Sequence, residues 1–376
     1  MDSNSEHYTI HLRITKKCNA DCSYCSSDSA NNFDVLSFSE LKKIIFFLKR
    51  TLFNVLDTRQ KHLSVQWVGG EIITYPFKDL SLAKKFIEEE LSSLFKSINQ
   101  GVQTNLIGSP DKIQKIKDLF GGKVGTSIDT FGNLRTVSGS SEKYKKMVAI
   151  NVEKVFNNKM PPSVFVVDKF GVLTAYKEYE RANSLGYDLT LNMVFSGGSS
   201  VQKPSLEKSL HLFESILDEW VLKSLIRVEP LYNLITRRVA KLKMDVDYLK
   251  GSSSCPFQNN CTEVSLNIDP NGDLYVCYDM ADSGHLRLGN GLTEEWNESV
   301  FNSLMDRKYK LPEKCVSCLY NIECQGGCMS KSMTVSGSPY GLTEWCDLWM
   351  SIFEKIDKII ENESIERVDE WLKKIQ

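Results

Sequence analysis

The chain has little net charge and no long apolar segment. Its 46 Lys and Arg residues nearly balance 48 Asp and Glu residues, so the formal net charge is -2. This balance gives no electrostatic reason to expect nucleic acid or an anionic membrane as a partner. No apolar run is long enough to cross a bilayer, and the polar start of the chain lacks the plan of a signal peptide. We therefore expect a cytoplasmic protein that binds neither nucleic acid nor membrane.

Histidine is scarce, and cysteine is missing from a long central stretch. The chain has 5 histidines and 11 cysteines, and no cysteine lies between Cys25 and Cys255. A reducing compartment disfavours disulfides, and an odd number of cysteines cannot pair completely. Metal or cluster ligation is therefore the better explanation for the cysteines. At 376 residues the chain has room for two or more domains, and the gap separates a cysteine-poor part from a cysteine-rich one.

The first three cysteines, Cys18, Cys22 and Cys25, form a C-x3-C-x2-C run after a strand-like segment that begins at Tyr8. Three thiolates on one short loop can hold three irons of a cubane iron–sulfur cluster. The fourth iron is then open to a small molecule that can chelate it. A zinc knuckle or a disulfide loop is the alternative, but structural zinc requires four ligands and no histidine is an obvious fourth. We interpret the run as a cluster site.

Strand-like and helix-like segments alternate through the first 223 residues. The predicted strands are 8–15, 63–67, 102–105, 124–129, 163–168 and 189–194. Ser37 and Glu40 form a capping box, Ser141 is predicted to cap a later helix, and Gly186 is predicted to end another. Six strand–helix units in succession predict an α/β fold with a parallel sheet. The periodicity leaves open whether the sheet is doubly wound or curved into a partial barrel.

The cysteine spacing, with the aromatic Tyr24 directly before Cys25, resembles that of the radical S-adenosylmethionine (SAM) superfamily. The resemblance implies a partial (β/α)6 TIM barrel over residues 8–223, with SAM bound at the open iron. In such enzymes the reduced cluster cleaves SAM to methionine and a 5′-deoxyadenosyl radical, which abstracts a hydrogen atom from the substrate. The resemblance also implies an external one-electron donor such as flavodoxin or ferredoxin.

Further strand ends match the same superfamily. The residues that the resemblance assigns to SAM are Tyr24, Gly69, Gly70, Glu71, Ser127 and Arg135. The Gly-Gly-Glu segment would contact the amino group of SAM, although Ile72 stands where the family usually has proline. Ser127 would face SAM, Tyr24 would lie against the adenine, and Arg135 would reach the carboxylate. A solvated loop arginine is the alternative for Arg135, and an aromatic at the cavity rim is the alternative for Tyr24.

The cysteines of the last third resemble the SPASM domain of radical SAM maturases, with a zinc ribbon as the alternative. The pattern consists of Cys261-x10-Gly272-x4-Cys277, Cys315-x2-Cys318-x5-Cys324-x3-Cys328 and Cys346, with Cys255 in addition. The resemblance implies one auxiliary cluster on Cys255, Cys261, Cys277 and Cys328, and another on Cys315, Cys318, Cys324 and Cys346. Three [4Fe–4S] clusters would then account for every cysteine. Fully ligated auxiliary clusters favour electron relay or a structural role over substrate binding.

We expect four segments along the chain. A radical SAM barrel over residues 8–223 is followed by a bridging segment, 224–254, whose basic helix with Arg237 and Arg238 is expected to be solvated. A small α+β SPASM domain then occupies residues 255–348, and packing helices occupy 349–376. Because the first strand begins at Tyr8, we expect no fused peptide-recognition domain before it. Recognition of a leader peptide would use the barrel, the SPASM domain or a separate protein.

SPASM enzymes mostly oxidise peptides. The resemblance therefore implies a maturase that forms a carbon–carbon or thioether cross-link in a ribosomally made peptide. A formylglycine-generating sulfatase maturase, a dehydrogenase or epimerase of a small molecule, and a non-catalytic electron-transfer protein are the alternatives. The last is disfavoured because it would not need a SAM site.

The turn signal at 269–272 predicts a β-hairpin with strands 263–268 and 273–278, which ends at Cys277. Sulfatase maturases carry a catalytic aspartate directly after the cysteine of this hairpin, where this chain has Tyr278 and then Asp279. If the strand continues through Tyr278, Asp279 faces the opposite side from that base. This favours peptide cross-linking and leaves Tyr278 and Asp279 as candidate catalytic residues.

Overall fold

The structure is a computed structural model, and it describes residues 6–27, 33–56, 58–195, 202–245, 248–249 and 255–375. Residues 246–247 and 250–254 of the predicted bridging segment lie outside the described residues. The strands are β1 His7–Arg13, β2 Asp21–Cys22, β3 His62–Val68, β4 Ser97–Thr104, β5 Val124–Ser127, β6 Arg135–Thr136, β7 Ser163–Val167, β8 Leu189–Met193, β9 Val228–Glu229, β10 Ser265–Ile268, β11 Asp273–Tyr275, β12 Gly289–Asn290 and β13 Glu295–Trp296. The helices are α1 Phe38–Arg50, α2 Leu52–Val55, α3 Phe77–Leu91, α4 Pro110–Leu119, α5 Ser141–Phe156, α6 Ala175–Leu185, α7 Leu206–Trp220, α8 Leu231–Leu242, α9 Cys261–Val264, α10 Tyr278–Ser283, α11 Glu298–Met305, α12 Glu313–Val316, α13 Asn321–Cys324, α14 Met329–Ser336, α15 Cys346–Glu363 and α16 Ile365–Lys374. Short 3-10 turns occur at Ile72–Thr74, Gly171–Leu173 and Asp306–Tyr309.

A single sheet runs through the molecule in the order β13-β12-β11-β10-β1-β3-β4-β5-β7-β8-β9. Its strands are parallel from β10 across to β9, and the strands from β10 to β13 pair with each other antiparallel. The α/β fold with a mostly parallel sheet is therefore confirmed. The strand order is compatible with a flat or a curved sheet, so the partial barrel stays a prediction.

Local sequence signals explain most element boundaries. In β1 the side chains of Tyr8, Ile10 and Leu12 alternate into the core, as expected for a strand. The capping box is present at the start of α1, where the Ser37 hydroxyl accepts a hydrogen bond from Glu40 N at 3.2 Å and Glu40 accepts from Ser37 N at 2.8 Å.

The predictions for the end of α6 and for the N-terminal cap of α5 had different outcomes. Gly186 ends α6 with a φ of 71°, as predicted. The predicted cap of α5 is wrong by one residue, because the hydroxyl of Ser140, not Ser141, accepts from Lys143 N.

The C-terminal hairpin extends the main sheet. Strand β10 pairs in parallel with β1, with Thr9 opposite Ser265, and β11 then pairs with β10 antiparallel. Strands from both sides of the predicted domain boundary at residue 255 therefore belong to one hydrogen-bonded sheet. The predicted continuation of the hairpin strand through Tyr278 is wrong. Cys277 precedes the first turn of helix α10, which ends at Gly284 with a φ of 69°.

The basic helix α8 is not solvated, so the expectation of a solvated helix in the bridging segment is wrong. Arg237 is 0% exposed and Arg238 is 7% exposed. Arg237 Nε donates to the carbonyl of Glu323 at 2.8 Å, and Arg238 forms ion pairs with Glu323 at 2.7 Å and with Asp357 at 2.6 Å. These contacts fix the cysteine-bearing segment around Glu323 to the helical layer.

The last two helices close one side of the core. Trp371 of α16 packs against Trp220 of α7 with ring centroids 4.7 Å apart, and its indole N–H donates to the carbonyl of Ser224 at 2.8 Å. Helix α15 buries Ile352 and Phe353 in the same apolar cluster. Across the residues that the structure describes, no helix has both the length and the apolar character required to span a membrane.

Candidate active site

A cavity of about 230 Å³ opens at the carboxyl ends of the parallel strands. Its wall includes residues from the ends of β3, β4, β5, β7 and β8, which is where α/β folds place ligands. The lining residues that the sequence assigned to the cluster or to SAM are Cys18, Cys22, Cys25, Tyr24, Gly69, Gly70, Glu71, Ser127 and Arg135. The structure thus brings the whole predicted SAM and loop-cluster set to one cavity.

A short ladder anchors the loop that carries Cys18, Cys22 and Cys25, which we call the cysteine loop. Strand β2 pairs antiparallel with β6, so that Cys22 lies opposite Arg135. Burial raises the pKa of Cys18 to about 12, and burial also raises the pKa of Cys22, which the nearby Arg135 cation opposes. Within the described part of the chain, no three His, Cys, Asp or Glu side chains gather around the position of a single metal ion. Thiolates of a cubane cluster instead bind separate irons.

Arg135 is a buried cation of the cavity, so the interpretation as a solvated loop arginine is wrong. The Asp129 carboxylate accepts hydrogen bonds from Gly132 N at 3.0 Å and from Arg135 N at 3.2 Å, and it thereby turns the short segment back toward the cysteine loop. Arg135 is 6% exposed, and its Nη1 donates to the Tyr24 hydroxyl at 2.8 Å.

The buried Nε atom of Arg135 has no hydrogen-bond partner among the described residues. A buried donor is normally satisfied, so this atom fits an anionic ligand group in the cavity. The surroundings of Arg135 therefore suit the carboxylate that the resemblance places beside it.

The Gly-Gly-Glu segment has a structural role that its sequence did not reveal. A Cβ atom on Gly69 would lie 2.4 Å from the Thr15 carbonyl oxygen, and one on Gly70 would lie 2.3 Å from that of Lys16. The glycines therefore let the end of β3 approach the start of the cysteine loop.

The Glu71 carboxylate ties two strand ends together. It accepts from Thr104 Oγ1 at 2.7 Å, from Asn105 N at 2.6 Å and from Ile73 N at 3.1 Å. Burial raises the pKa of Glu71, and these hydrogen bonds oppose that shift. The side chain thus positions the ends of β3 and β4 while it also faces the cavity.

Part of the cavity wall is aromatic. Tyr278 lines it, with the ring of His11 packed edge-on at 4.8 Å between centroids and the ring of Phe195 at 5.1 Å. Burial raises the pKa of the Tyr278 phenol, which therefore stays protonated at neutral pH. Ser127 also lines the cavity, and its hydroxyl accepts a hydrogen bond from Gln103 Nε2 at 3.2 Å.

Asp279 lies beside the cavity wall but not in it. Its side chain is not part of the cavity lining and forms a buried ion pair with Lys331 at 3.4 Å, while Lys331 Nζ donates to the Val194 carbonyl at 2.7 Å. Its orientation follows from the helical turn of α10, and the strand-face argument for it is wrong.

Sequence reasoning missed Arg13 and Asp282, which line the same cavity. The Asp282 carboxylate pairs with Arg13 Nη2 at 2.7 Å and accepts from the hydroxyl of Ser26 at 2.6 Å. It thereby connects α10 to the residues directly after Cys25. The one sequence feature that could have indicated this pair is Arg13, a cation at the end of a strand whose alternate residues are buried in the core.

The first set of C-terminal cysteines comes together around Cys328. Burial is the main cause of the raised pKa values of Cys255, Cys261 and Cys277, and proximity to the Cys328 thiol is a further cause at each. The pKa of Cys261 rises to about 12. The three thiols therefore lie near Cys328, although Cys328 belongs to the other run in sequence.

The second set encloses a smaller cavity of about 30 Å³. Its four cysteines are Cys315, Cys318, Cys324 and Cys346. Burial raises the pKa of Cys324 to about 12, with Cys315 and Cys346 as contributing neighbours. The ligand roles of all these cysteines stay predictions.

Comparison with known proteins supports the resemblance. No family model matches the chain. The radical SAM cyclopropyl synthase TigE of Paramaledivibacter caminithermalis is 20% identical over 96% of this chain and 76% of its own length. A cysteine-type anaerobic sulfatase-maturating enzyme of Clostridium perfringens is 23% identical over 90% of this chain and 92% of its own length. The resemblance to radical SAM maturases is therefore confirmed, and these homologues indicate an enzyme.

A solved structure of anSMEcpe with bound AdoMet superimposes with a TM-score of 0.73 over 98% of each chain at 16% identity. The same protein has been solved with AdoMet and a Cp18Cys peptide. At this identity the match establishes that the two chains share a fold.

Proposed function

We propose that the chain is a radical SAM/SPASM peptide maturase that oxidatively cross-links a ribosomally made peptide, through a carbon–carbon or a thioether bond. The observation that carries the proposal is the cavity, where three cysteines, Tyr24 and the buried Arg135 meet at the ends of parallel strands. A fold shared from end to end with a peptide-modifying maturase supports it further.

In this proposal Cys18, Cys22 and Cys25 hold a [4Fe–4S] cluster whose open iron binds SAM. The unpartnered Nε of Arg135 would receive the SAM carboxylate, and Tyr24 would lie against the adenine while its hydroxyl keeps Arg135 in place. Bound there, the cluster and SAM would supply a 5′-deoxyadenosyl radical that abstracts hydrogen from the substrate. Gly69, Gly70, Glu71 and Ser127 would complete the binding wall, and the surrounding sheet would form a partial (β/α)6 barrel.

Two auxiliary [4Fe–4S] clusters would occupy the two C-terminal cysteine sets in the SPASM domain. Their full ligation favours electron transfer, with flavodoxin or ferredoxin as the external donor. The protein would work in the cytoplasm, and a separate protein could present the leader of the peptide. The proposed segments are the barrel at 8–223, the bridge at 224–254, the SPASM domain at 255–348 and the terminal helices at 349–376.

The proposed substrate region is the aromatic wall around Tyr278. Its neighbours Phe195 and Met193 are apolar, and the cavity-facing carboxylate of Asp282 is already paired with Arg13. Such a wall suits an uncharged peptide side chain. Tyr278 stands at the position of a sulfatase maturase base, and Asp279, one residue later, pairs with Lys331 and is not part of the cavity lining.

Formylglycine formation is the second candidate, and one observation favours it. The match to the C. perfringens sulfatase-maturating enzyme covers nearly the full length of both chains. Conversion of a small-molecule substrate has no comparable support.

The test is co-expression with small peptides encoded beside the gene, followed by mass spectrometry of the peptide. A cross-linking maturase produces a loss of two hydrogens that depends on Cys18, Cys22 and Cys25, and fragmentation shows a bridge between two residues. A sulfatase-derived peptide carrying formylglycine as the sole product would replace the first candidate by the second. The absence of any modification, with SAM cleavage intact, would contradict both.

A further inference from the structure

Arg307 is a buried arginine for which the structure records no acidic partner within its described residues. It is 0% exposed, and it lies in the 3-10 turn after α11. The buried arginines Arg13 and Arg238 are different, because each forms an ion pair with a carboxylate, at 2.7 Å to Asp282 and at 2.6 Å to Asp357. A buried cation without a counter-charge is costly, so the surroundings of Arg307 need an explanation.

The guanidinium group is held by the segment that joins the two C-terminal cysteine sets. Arg307 Nη2 donates to the carbonyl of Gly326 at 2.9 Å, and Gly326 lies between Cys324 of the second set and Cys328 of the first. The same Nη2 lies 3.4 Å from the Ser332 hydroxyl, which itself donates to the Cys328 carbonyl at 3.1 Å. Nη1 donates to the carbonyl of Pro339.

Thiols of both sets lie close enough to the guanidinium to interact with it electrostatically. Cys261 and Cys328 of the first set and Cys315 and Cys324 of the second all interact electrostatically with the guanidinium. Burial lowers the pKa of Arg307, and these four thiols oppose that shift. The Nε atom is buried without a hydrogen-bond partner among the described residues. The missing counter-charge would therefore be supplied if both cysteine sets carried anionic centres.

We propose that Arg307 is a shared counter-charge between the two C-terminal metal centres and that it sets their reduction potentials together. This inference rests on the proposed function, because it requires both cysteine sets to bind clusters. Net charge and hydrogen bonds near a cluster are the main means by which a protein adjusts its potential. A fixed positive charge favours the more negative, reduced form, so Arg307 raises both potentials. It thereby makes both centres better electron acceptors.

The test compares Arg307→Gln with the wild-type protein after anaerobic reconstitution of the full chain. Iron content is measured first, and reduction potentials are then measured by titration followed with electron paramagnetic resonance. We expect both C-terminal potentials to become more negative. The potential of the SAM-binding cluster, identified by the spectral change that added SAM produces, should stay unchanged.

Lys308→Gln is the matched control. Lys308 lies next to Arg307, but its charge is already balanced by Glu263 at 2.8 Å. We expect its loss to move the C-terminal potentials much less. Equal shifts in the two variants would show a general effect of surface charge and would overturn the proposal.

The remaining outcomes separate charge from packing. Unchanged potentials in Arg307→Gln with full iron would mean that Arg307 only holds carbonyl groups, and this would overturn the proposal. If Arg307→Gln fails to fold or to bind iron, Arg307→Lys must restore iron binding, because it keeps the charge. Equal failure of both variants would contradict the proposal. Wild-type protein that binds iron only at the cysteine loop would instead contradict the proposed auxiliary clusters themselves.

Discussion

Arg135 reaches the cavity because an acidic side chain, that of Asp129, folds the segment before it. Only residues 130–134 separate Asp129 from Arg135, and Asp129 folds that segment by accepting backbone hydrogen bonds. Arg135 is then held between the Tyr24 hydroxyl and the ring of Tyr144, 5.2 Å from its centroid. These contacts fix the cation while its Nε stays available to a ligand.

The first prediction concerns SAM binding by Arg135→Met. Loss of a charge-assisted contact in a buried cavity should raise the dissociation constant for SAM at least tenfold, or about 1.4 kcal/mol. Equilibrium binding to the anaerobically reconstituted protein measures this change. Arg181→Met is the control, because Arg181 contacts the Tyr187 hydroxyl and not the cavity. Unchanged SAM affinity in Arg135→Met would refute its assignment.

The second prediction compares two aspartates of α10. Asp282→Asn should weaken SAM binding, because its carboxylate holds Arg13 and Ser26 beside the cysteine loop. Asp279→Asn should retain SAM cleavage and much of the product, since Asp279 faces Lys331. Production of 5′-deoxyadenosine and modified peptide is measured for both variants. If Asp279→Asn loses product while 5′-deoxyadenosine still forms, Asp279 is the general base after all.

At the scale of helices and strands, the sequence predicted the features that depend only on residues close together along the chain. The capping box of Ser37 and the strand alternation of Tyr8, Ile10 and Leu12 are local patterns, and the structure contains both. The pairing of Arg13 with Asp282 joins residues far apart in sequence, so no local pattern could reveal it.

The helix that begins at Tyr278 was mistaken for a strand for a related reason. The alternating residues before it predict an extended chain, whereas helix α10 begins directly after Cys277, at a point that no local alternation marks. The same limitation applies to α8, whose basic face appeared solvated until its partners Glu323 and Asp357 were located.

The third prediction tests that buried contact between α8 and the C-terminal region. Arg238→Met leaves Glu323, which is 0% exposed, without its cation. The free energy of unfolding should fall by about 3–5 kcal/mol, because an uncompensated charge stays buried. Arg287→Met is the control, since its ion pairs are exposed and should contribute at most about 1 kcal/mol. Urea denaturation of the two variants measures the difference, and equal losses would contradict the prediction.

At the scale of the whole molecule, the two cysteine-bearing regions belong to one continuous structure. The hairpin strand β10 pairs directly with β1, which leads into the cysteine loop. Helix α10 begins after Cys277, places Tyr278 in the cavity wall and contacts the cysteine loop through Asp282. A change at the C-terminal cysteines can therefore affect the cavity wall at Tyr278 through a single short helix.

The fourth prediction concerns the second C-terminal set. If its centre accepts an electron during a net oxidation, Cys315→Ala/Cys318→Ala should retain uncoupled SAM cleavage while product formation collapses. Modified peptide and 5′-deoxyadenosine are measured in the same reaction, and circular dichroism verifies the fold. Normal product yield without this centre would refute electron relay. Parallel loss of both activities would point to a structural role, since removal of a metal site often removes the fold around it.

The central claim is that the cysteine loop binds a cluster that cleaves SAM. The most direct measurement is 5′-deoxyadenosine formation by the reconstituted, reduced protein, with iron determined on the same sample. We predict formation of 5′-deoxyadenosine by the wild-type protein. In Cys18→Ala/Cys22→Ala/Cys25→Ala, we predict none, with roughly two-thirds of the iron retained by the C-terminal sets. Equal 5′-deoxyadenosine yields from the two proteins, or stoichiometric zinc in place of iron, would contradict the account.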